Sequence, residues 1–357
     1  MRADEFQRPP VKVALMGLGR AMFESHYPVF KEHPALFDVV AACDMLKDRR
    51  DRVAADFPQC RMFRRYDDML DERGIDLVVV ATGSKSHVEH AMMSLEHGHW
   101  TLLETPMALT FEDAQLLRGA NMKAKNRLVV YHRGLFDADF LLAKAEMSDS
   151  RLGAIHSISV RREDFIRRDD WQTLKSRGGG ATYYEMQDLV LQTLKLLPLP
   201  PVQMWSELKR IASLGDTEDC VHVRFKTRQQ ITADVEYCGG SISPEKSPSF
   251  TIRGSRGVFT VMPGASKGRI TMIDPAFKFP RRRSSVRVHP IADMHESFPI
   301  VTEEVCLPRG TAFGQSLFWR HLYDAVRVAA PFPLQLEDSI ECVKLSRLMR
   351  KTSPFGR

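Results

Sequence analysis

The sequence contains no Cys-x-x-Cys pair and no Cys/His run at metal-ligand spacing. Its six cysteines (Cys43, Cys60, Cys220, Cys238, Cys306 and Cys342) are scattered. That spacing argues against a zinc module and against a disulfide scaffold. Cys43 and Cys220 lie inside apolar runs and are read as buried thiols. No apolar run approaches the roughly eighteen residues of a membrane span. Residues Met1 to Pro10 are polar and lack the apolar core of an export signal. A reducing cytoplasm is the expected location. Internal repeats and low-complexity tracts are absent. A strong excess of one charge is absent too: 51 Lys and Arg face 45 Asp and Glu, a net charge of +6. No helix face is uniformly basic, so nucleic acid is not an expected partner. The one dense basic cluster, Arg281-Arg282-Arg283 with Arg287, reads as a solvated loop.

What is present is a chain of 357 residues, 43% hydrophobic and 27% charged, long enough for two domains. Val11 to Met16 is the short apolar run of a buried parallel strand. It ends in Gly17-Leu18-Gly19-Arg20-Ala21-Met22, a tight turn opening a helix, and a second run, Val39 to Cys43, ends on Asp44. This is the order of a dinucleotide-binding βαβ unit, although the third glycine of the fingerprint is replaced by Met22. Gly17 permits the sharp turn, and Gly19 lets the backbone approach a pyrophosphate. The helix amino terminus attracts an anion, and Arg20 is placed to meet a phosphate. Asp44 is placed to accept hydrogen bonds from an adenosine ribose. Its carboxylate would repel a 2′-phosphate, which favours NAD over NADP.

Strands and helices keep alternating from residue 11 to residue 131, which predicts a doubly wound parallel sheet over a first domain, residues 1–130. Gly17, Asp44, Thr82 and Glu104 fall at carboxyl ends of its strands and should face one crevice. Residues 131–357 form the second domain, for substrate and oligomer contacts. There, segments such as Ile155 to Arg161, Cys220 to Phe225 and Ile231 to Tyr237 favour a mostly antiparallel sheet. One helix, Ala181 to Leu197, follows Gly178-Gly179-Gly180, and the carboxyl-terminal helix is expected to pack back toward the first domain. An open sheet with an apolar face predicts helix cover or self-association.

With Thr82-Gly83-Ser84-Lys85-Ser86-His87, Glu104-Thr105-Pro106 and Gly178-Gly179-Gly180-Ala181 added, the chain resembles the Gfo/Idh/MocA oxidoreductases. Tyr131, Asp137, Asp139-Phe140 and Arg151-Leu152-Gly153 resemble the scyllo-inositol dehydrogenase-like branch. The resemblance implies an NAD(P)-binding domain, a substrate domain, and homodimers or homotetramers built on the open sheet. It implies hydride transfer from a hydroxyl of a sugar, cyclitol or related polyol. It also brings Thr82, Ser84, His87, Glu104 and Thr105 to the coenzyme, alongside Gly17, Leu18, Gly19, Arg20, Ala21 and Asp44. The chain departs from the family where a proton acceptor is needed. The lysine position is Thr105, and the Asp, His and second Asp positions of the central helix are Tyr184, Asp188 and Leu191. The remaining candidates are Asp188 as a carboxylate base, with a pKa raised by an apolar pocket, Tyr184 beside it, and Lys175 replacing the missing lysine. His132 is a further acid or base candidate, and Trp171 is placed to floor a sugar. Two other readings stay open: a non-catalytic sensor or scaffold, and elimination or hydrolysis through transient oxidation.

Overall fold

The structure, a computed structural model, describes residues 8–279, 297–353 and 355. The basic cluster Arg281 to Arg287 lies outside them. Strands β1 (Val11–Met16), β2 (Phe37–Cys43), β3 (Arg61–Phe63), β4 (Leu77–Val80), β5 (Trp100–Leu103) and β6 (Leu128–Val130) form one sheet of order β3-β2-β1-β4-β5-β6. Every pairing in it is parallel. The central strands are apolar because helices α1 (Tyr27–Glu32), α2 (Lys47–Asp56), α3 (Tyr66–Leu70), α4 (His87–Glu96) and α5 (Phe111–Lys123) cover the two faces; Val13, Leu15 and Leu77 to Val80 have no exposure. Strand order reverses between β1 and β4, so the crevice opens at their carboxyl ends. In that register Met16 pairs with Val80, which brings Gly17 out beside Ala81 and Thr82. Gly17 has φ +83°, and a Cβ there would lie 2.7 Å from Thr82 Cγ2 and 2.8 Å from the Ala81 carbonyl. Only glycine fits.

The second sheet, of order β14-β13-β12-β11-β7-β10-β9-β8, is antiparallel except where β10 (Thr232–Cys238) runs parallel to β7 (Ile155–Glu163). Its remaining strands are β8 (Pro201–Lys209), β9 (Cys220–Thr227), β11 (Phe250–Gly254), β12 (Gly257–Val261), β13 (Lys267–Ile273) and β14 (Ile300–Cys306). Alternation decides its faces. Ala233, Val235 and Tyr237 of β10 enter a core with Leu189 and Val190 of α7 (Ala181–Leu196) and Phe140 of α6 (Ala138–Glu146). The opposite face is charged, with Arg161 to Glu236 at 2.8 Å and Arg224 to Asp234 at 2.6 Å. Of the two expected fates of the apolar face, helix cover is the one the structure shows: helices take the apolar side. Cys220 differs from the expected buried thiol: it is half-buried, since it sits on the outward-facing positions of β9.

The carboxyl-terminal helices join the two sheets. Phe318, Trp319 and Leu322 of α8 (Gly314–Val328) pack with Phe30 and Phe37 in the first core. In α9 (Leu336–Thr352), Ile340 and Val343 face the first lobe's cluster, and Cys342, Leu345 and Met349 face the second. The amino terminus of α7 is fixed by Glu218, whose carbonyl accepts from Ala181 N–H at 3.0 Å and whose carboxylate accepts from Thr182 N–H at 3.1 Å.

Candidate active site

Over Gly19 the turn is open; a Cβ there would meet no atom within 4 Å. A cavity of about 440 Å³ lies beside it, lined by Leu18, Gly19, Arg20, Phe23, Arg49 and Arg52 among others. The Arg52 guanidinium stacks 3.8 Å from the Phe23 ring centre. Asp44 is held in place: its Oδ2 accepts from Leu18 N–H at 2.8 Å and its Oδ1 from Leu46 N–H at 2.9 Å, with Arg49 at 3.5 Å. An open glycine backbone, three arginines and an oriented carboxylate fit a dinucleotide. Arg20 also donates to Gln172 Oε1 at 3.1 Å, reaching from the first lobe to the loop before the triple glycine.

The helix behind the turn begins as a π-helix, Met22–His26, and continues as α1 (Tyr27–Glu32). Single π turns recur at functional sites because they redirect a side chain. Here the buried His26 ring sits 2.8 Å from Glu104 Oε1, while Glu104 Oε2 accepts from Thr105 N–H at 3.1 Å. Glu104 is thus oriented at the end of β5. His87 is fully buried, its Nδ1 2.8 Å from the Pro106 carbonyl and its Nε2 3.0 Å from the Thr82 carbonyl. Burial holds its pKa below the ordinary histidine value against those carbonyls. Both ring nitrogens face backbone, so His87 ties the β4 and β5 loops together, and neither nitrogen is free for a coenzyme. Ser84 is buried in the same loop, and Thr82 Oγ1 meets His90 Nδ1 at 3.0 Å.

Lys175 is not brought to this place. Its ammonium donates to the Phe355 carbonyl at 3.0 Å and lies 4.6 Å from the Phe355 ring centre. Tyr184 is half-buried under the Arg168 guanidinium, 5.4 Å from its ring centre, and burial pushes its phenol well above the ordinary value. Trp171 stays partly exposed on the same loop.

Asp188 and His132 come together where β6 leaves the first sheet and α7 crosses the second. His132 Nδ1 donates to Asp188 Oδ1 at 2.9 Å, and Gly134 N–H donates to Asp188 Oδ2 at 2.9 Å. Gly134 is required here: a Cβ would lie 2.8 Å from that oxygen. The expected raised pKa of Asp188 is corrected by these contacts. Burial works against its charge, but His132, Gly134 N–H and the Arg162 guanidinium outweigh it and hold the carboxyl below the ordinary aspartate range. A carboxylate so stabilised is a weak base alone and an effective orienting anion for histidine. His132 Nε2 is buried with no hydrogen-bond partner.

A cavity of about 550 Å³ opens on Arg133 and Leu189, the chain neighbours of the pair, and is lined also by Asp137, Arg162, Glu185, Gln192 and Lys246 among others. Burial pushes the Asp137 carboxyl from 3.8 up to about 6, with Arg133 opposing. Two aspartates driven in opposite directions are the pattern of an acid–base site. Between the unfolded value and about 6 the folded chain holds more protons, so stability falls as pH rises through that window. Asp137→Asn is expected to stabilise the fold by roughly 1–3 kcal/mol above pH 7 and to be neutral near pH 4, read by urea denaturation at both pH values.

Sequence reasoning missed His26, Asp137 and Arg162 as members of this constellation. Arg162 is the penultimate residue of β7 and Asp137 is the N-cap of α6, positions that a count of element ends would bring forward. Among the described residues no helix is long and apolar enough to cross a membrane, and no group of three or more His, Cys, Asp or Glu is arranged to hold a metal.

Sheet order, glycine turn and oriented acid define a dinucleotide-binding Rossmann domain. Residues 11–132 match the oxidoreductase family described by its NAD-binding Rossmann fold. An uncharacterized oxidoreductase of Schizosaccharomyces pombe is 29% identical over 257 residues, 70% of each chain. The scyllo-inositol 2-dehydrogenase (NADP(+)) IolW of Bacillus subtilis is 26% identical over 251 residues, 70% of this chain and 68% of its own. An NAD-binding protein of Listeria innocua superposes with a TM-score of 0.80 at 19% identity, covering 98% of this chain and 99% of its own. Over residues 11–132 the chain is thus similar to the NAD-binding domain of the Gfo/Idh/MocA oxidoreductases, and beyond that domain its relatives are oxidoreductases too.

Proposed function

We propose that the chain oxidises a hydroxyl of a sugar, cyclitol or related neutral polyol, with the Asp188–His132 pair taking the hydroxyl proton. The observation that carries this reading is the pair itself: an oriented histidine whose second nitrogen is buried and unpartnered, in a chain with Thr105 where the family has lysine. Bound coenzyme supplies the hydride acceptor. The chain's residues do the rest. The turn from Gly17 to Ala21, with Arg20, Arg49 and Arg52, holds the pyrophosphate, and Asp44 holds the adenosine ribose. Glu104, fixed by His26, and Thr105 border the nicotinamide end. Asp188 keeps His132 in the Nδ1–H tautomer, which leaves Nε2 as the acceptor.

The cavity supports a neutral polyhydroxy substrate. Its cations and carboxylates stand in loose pairs, Arg162 to Glu185 at 3.4 Å, Arg133 to Asp137 at 4.0 Å and Lys246 to Asp164 at 3.9 Å. Hydroxyls can bridge such pairs, whereas no cation is left unbalanced for an anionic group. The names of two relatives, an inositol dehydrogenase and a D-glucoside 3-dehydrogenase, point the same way. Self-association through the charged face of the second sheet, where Trp205 is half-exposed, completes the proposal.

Coenzyme choice follows from Asp44 and its neighbour Arg49. NAD is the preferred coenzyme, and Arg49 gives NADP a residual affinity. Asp44→Ala is expected to weaken NAD binding by about tenfold and NADP binding by less, since one lost charge-assisted contact is worth about 1.5–3 kcal/mol in the folded site. Arg49→Ala should reverse that pattern. Fluorescence quenching with each coenzyme reads both. Turnover is tested by following reduced coenzyme across a panel of cyclitols and sugars; binding without turnover would favour the sensor reading.

A further inference from the structure

We infer that Cys220 and Cys238 form a reversible oxidation site, closing to a cross-strand disulfide when the protein meets a hydroperoxide. The two residues are direct partners in the antiparallel register of β9 and β10. Gly239 N–H donates to the Asp219 carbonyl at 2.7 Å, which brackets the pair from outside and makes it a non-hydrogen-bonded position. At such positions the Cα atoms approach to about 4.5 Å and side chains come closest. That separation lies within the range a disulfide spans. The side chains of such a directly opposed pair share one face of the sheet, and both residues are half-buried, so a small oxidant can reach them.

The other cysteines define the contrast. Cys43, Cys60 and Cys342 are buried, and Cys306 is exposed but lies on the edge strand β14, with four strands between it and β10. The chemistry balances without any further reactant. Cys238 thiolate attacks the peroxide O–O bond, giving a sulfenic acid and water. The Cys220 thiol then displaces hydroxide from that sulfur, its proton leaving with the hydroxide as a second water. Two thiols lose two electrons and the peroxide gains them. Burial and the neighbouring Cys238 push the Cys220 thiol up to about 12, which makes it the resolving partner and the bond slow to form.

The site adjoins the cavity without depending on coenzyme or substrate. The Cys238 carbonyl accepts from Asp164 N–H at 3.0 Å, and Asp164 is part of the cavity wall. Asp219, next to Cys220, accepts from the N–H groups of Ile211 and Ala212 at 2.7 Å each.

The test is peptide mapping of the full chain after treatment with hydrogen peroxide and alkylation with iodoacetamide. The expected result is a cross-link between the segments carrying Cys220 and Cys238, removed by dithiothreitol. Cys220→Ser should abolish the cross-link and leave Cys238 trapped by a sulfenic-acid probe. Free, alkylated Cys220 and Cys238 at peroxide doses that fully oxidise Cys306 would overturn the inference. So would a cross-link made only through Cys306. The wild-type protein gives the primary reading, so a variant that fails to fold does not remove the test.

Discussion

Asp188→Asn is expected to lower kcat/KM for coenzyme reduction by about 10²- to 10⁴-fold while leaving NAD affinity unchanged. The asparagine oxygen can still accept from Gly134 N–H. Its amide nitrogen then faces His132 Nδ1, which must become an acceptor, and the ring proton moves to Nε2. The unpartnered nitrogen that takes the substrate proton is lost, although the fold is kept. His132→Gln should produce the same loss, and the double variant should fall no further than either single one, since the two residues act as a unit. Initial rates with the best polyol of the panel, set against coenzyme binding by fluorescence, separate proton transfer from binding.

Arg350→Ala is expected to destabilise the protein by about 3–5 kcal/mol, the largest stability effect among single substitutions considered. Its Nη2 donates to both Glu218 oxygens and to the Gly179 carbonyl, each at 2.8 Å, and Glu218 has no solvent exposure. Removing the guanidinium leaves a buried carboxylate held by Thr182 N–H and the positive end of α7. The same contact explains Gly180, where φ is +115° and a Cβ would lie 2.2 Å from Arg350 Nη2. Urea denaturation should give the full loss for Arg350→Ala. Adding Glu218→Gln should recover much of it, because the isolated charge is gone. Failure of that rescue would mean that Arg350 stabilises through its packing on Tyr183 instead.

The first sheet, β3 apart, was legible because each of its other strands is a short apolar run closed by a glycine or polar turn. The helices Phe111–Lys123 and Gly314–Val328 follow the same logic, because each buries apolar residues at helical spacing, Ala114 and Leu117 in the first and Phe318, Trp319 and Leu322 in the second. Short or polar elements were not legible. Strand β3 is three residues, and β14 alternates Thr302, Glu303 and Glu304 at the sheet edge, so neither carries a clear period. The π-helix at Met22 is invisible to a 3.6-residue pattern, and with it the His26–Glu104 contact. Asp44 stands out in the sequence as the acid that ends the second strand, and Asp188 only through the family resemblance of the central helix. The direction of the Asp188 shift was not legible, because it depends on His132, Gly134 and Arg162, which lie 56, 54 and 26 residues away in the chain. Lys175 shows the converse: its loop precedes the central helix, yet its ammonium turns to Phe355.

The central claim is that this chain binds NAD(P) and moves a proton through Asp188 and His132. The most direct measurement is reduced-coenzyme formation by the wild-type chain and by Asp188→Asn, with coenzyme affinity determined on the same samples. Reduction by the wild type, with loss of rate and retained affinity in the variant, is the expected result. Equal rates in the two proteins, or no coenzyme binding by either at millimolar concentration, would contradict it.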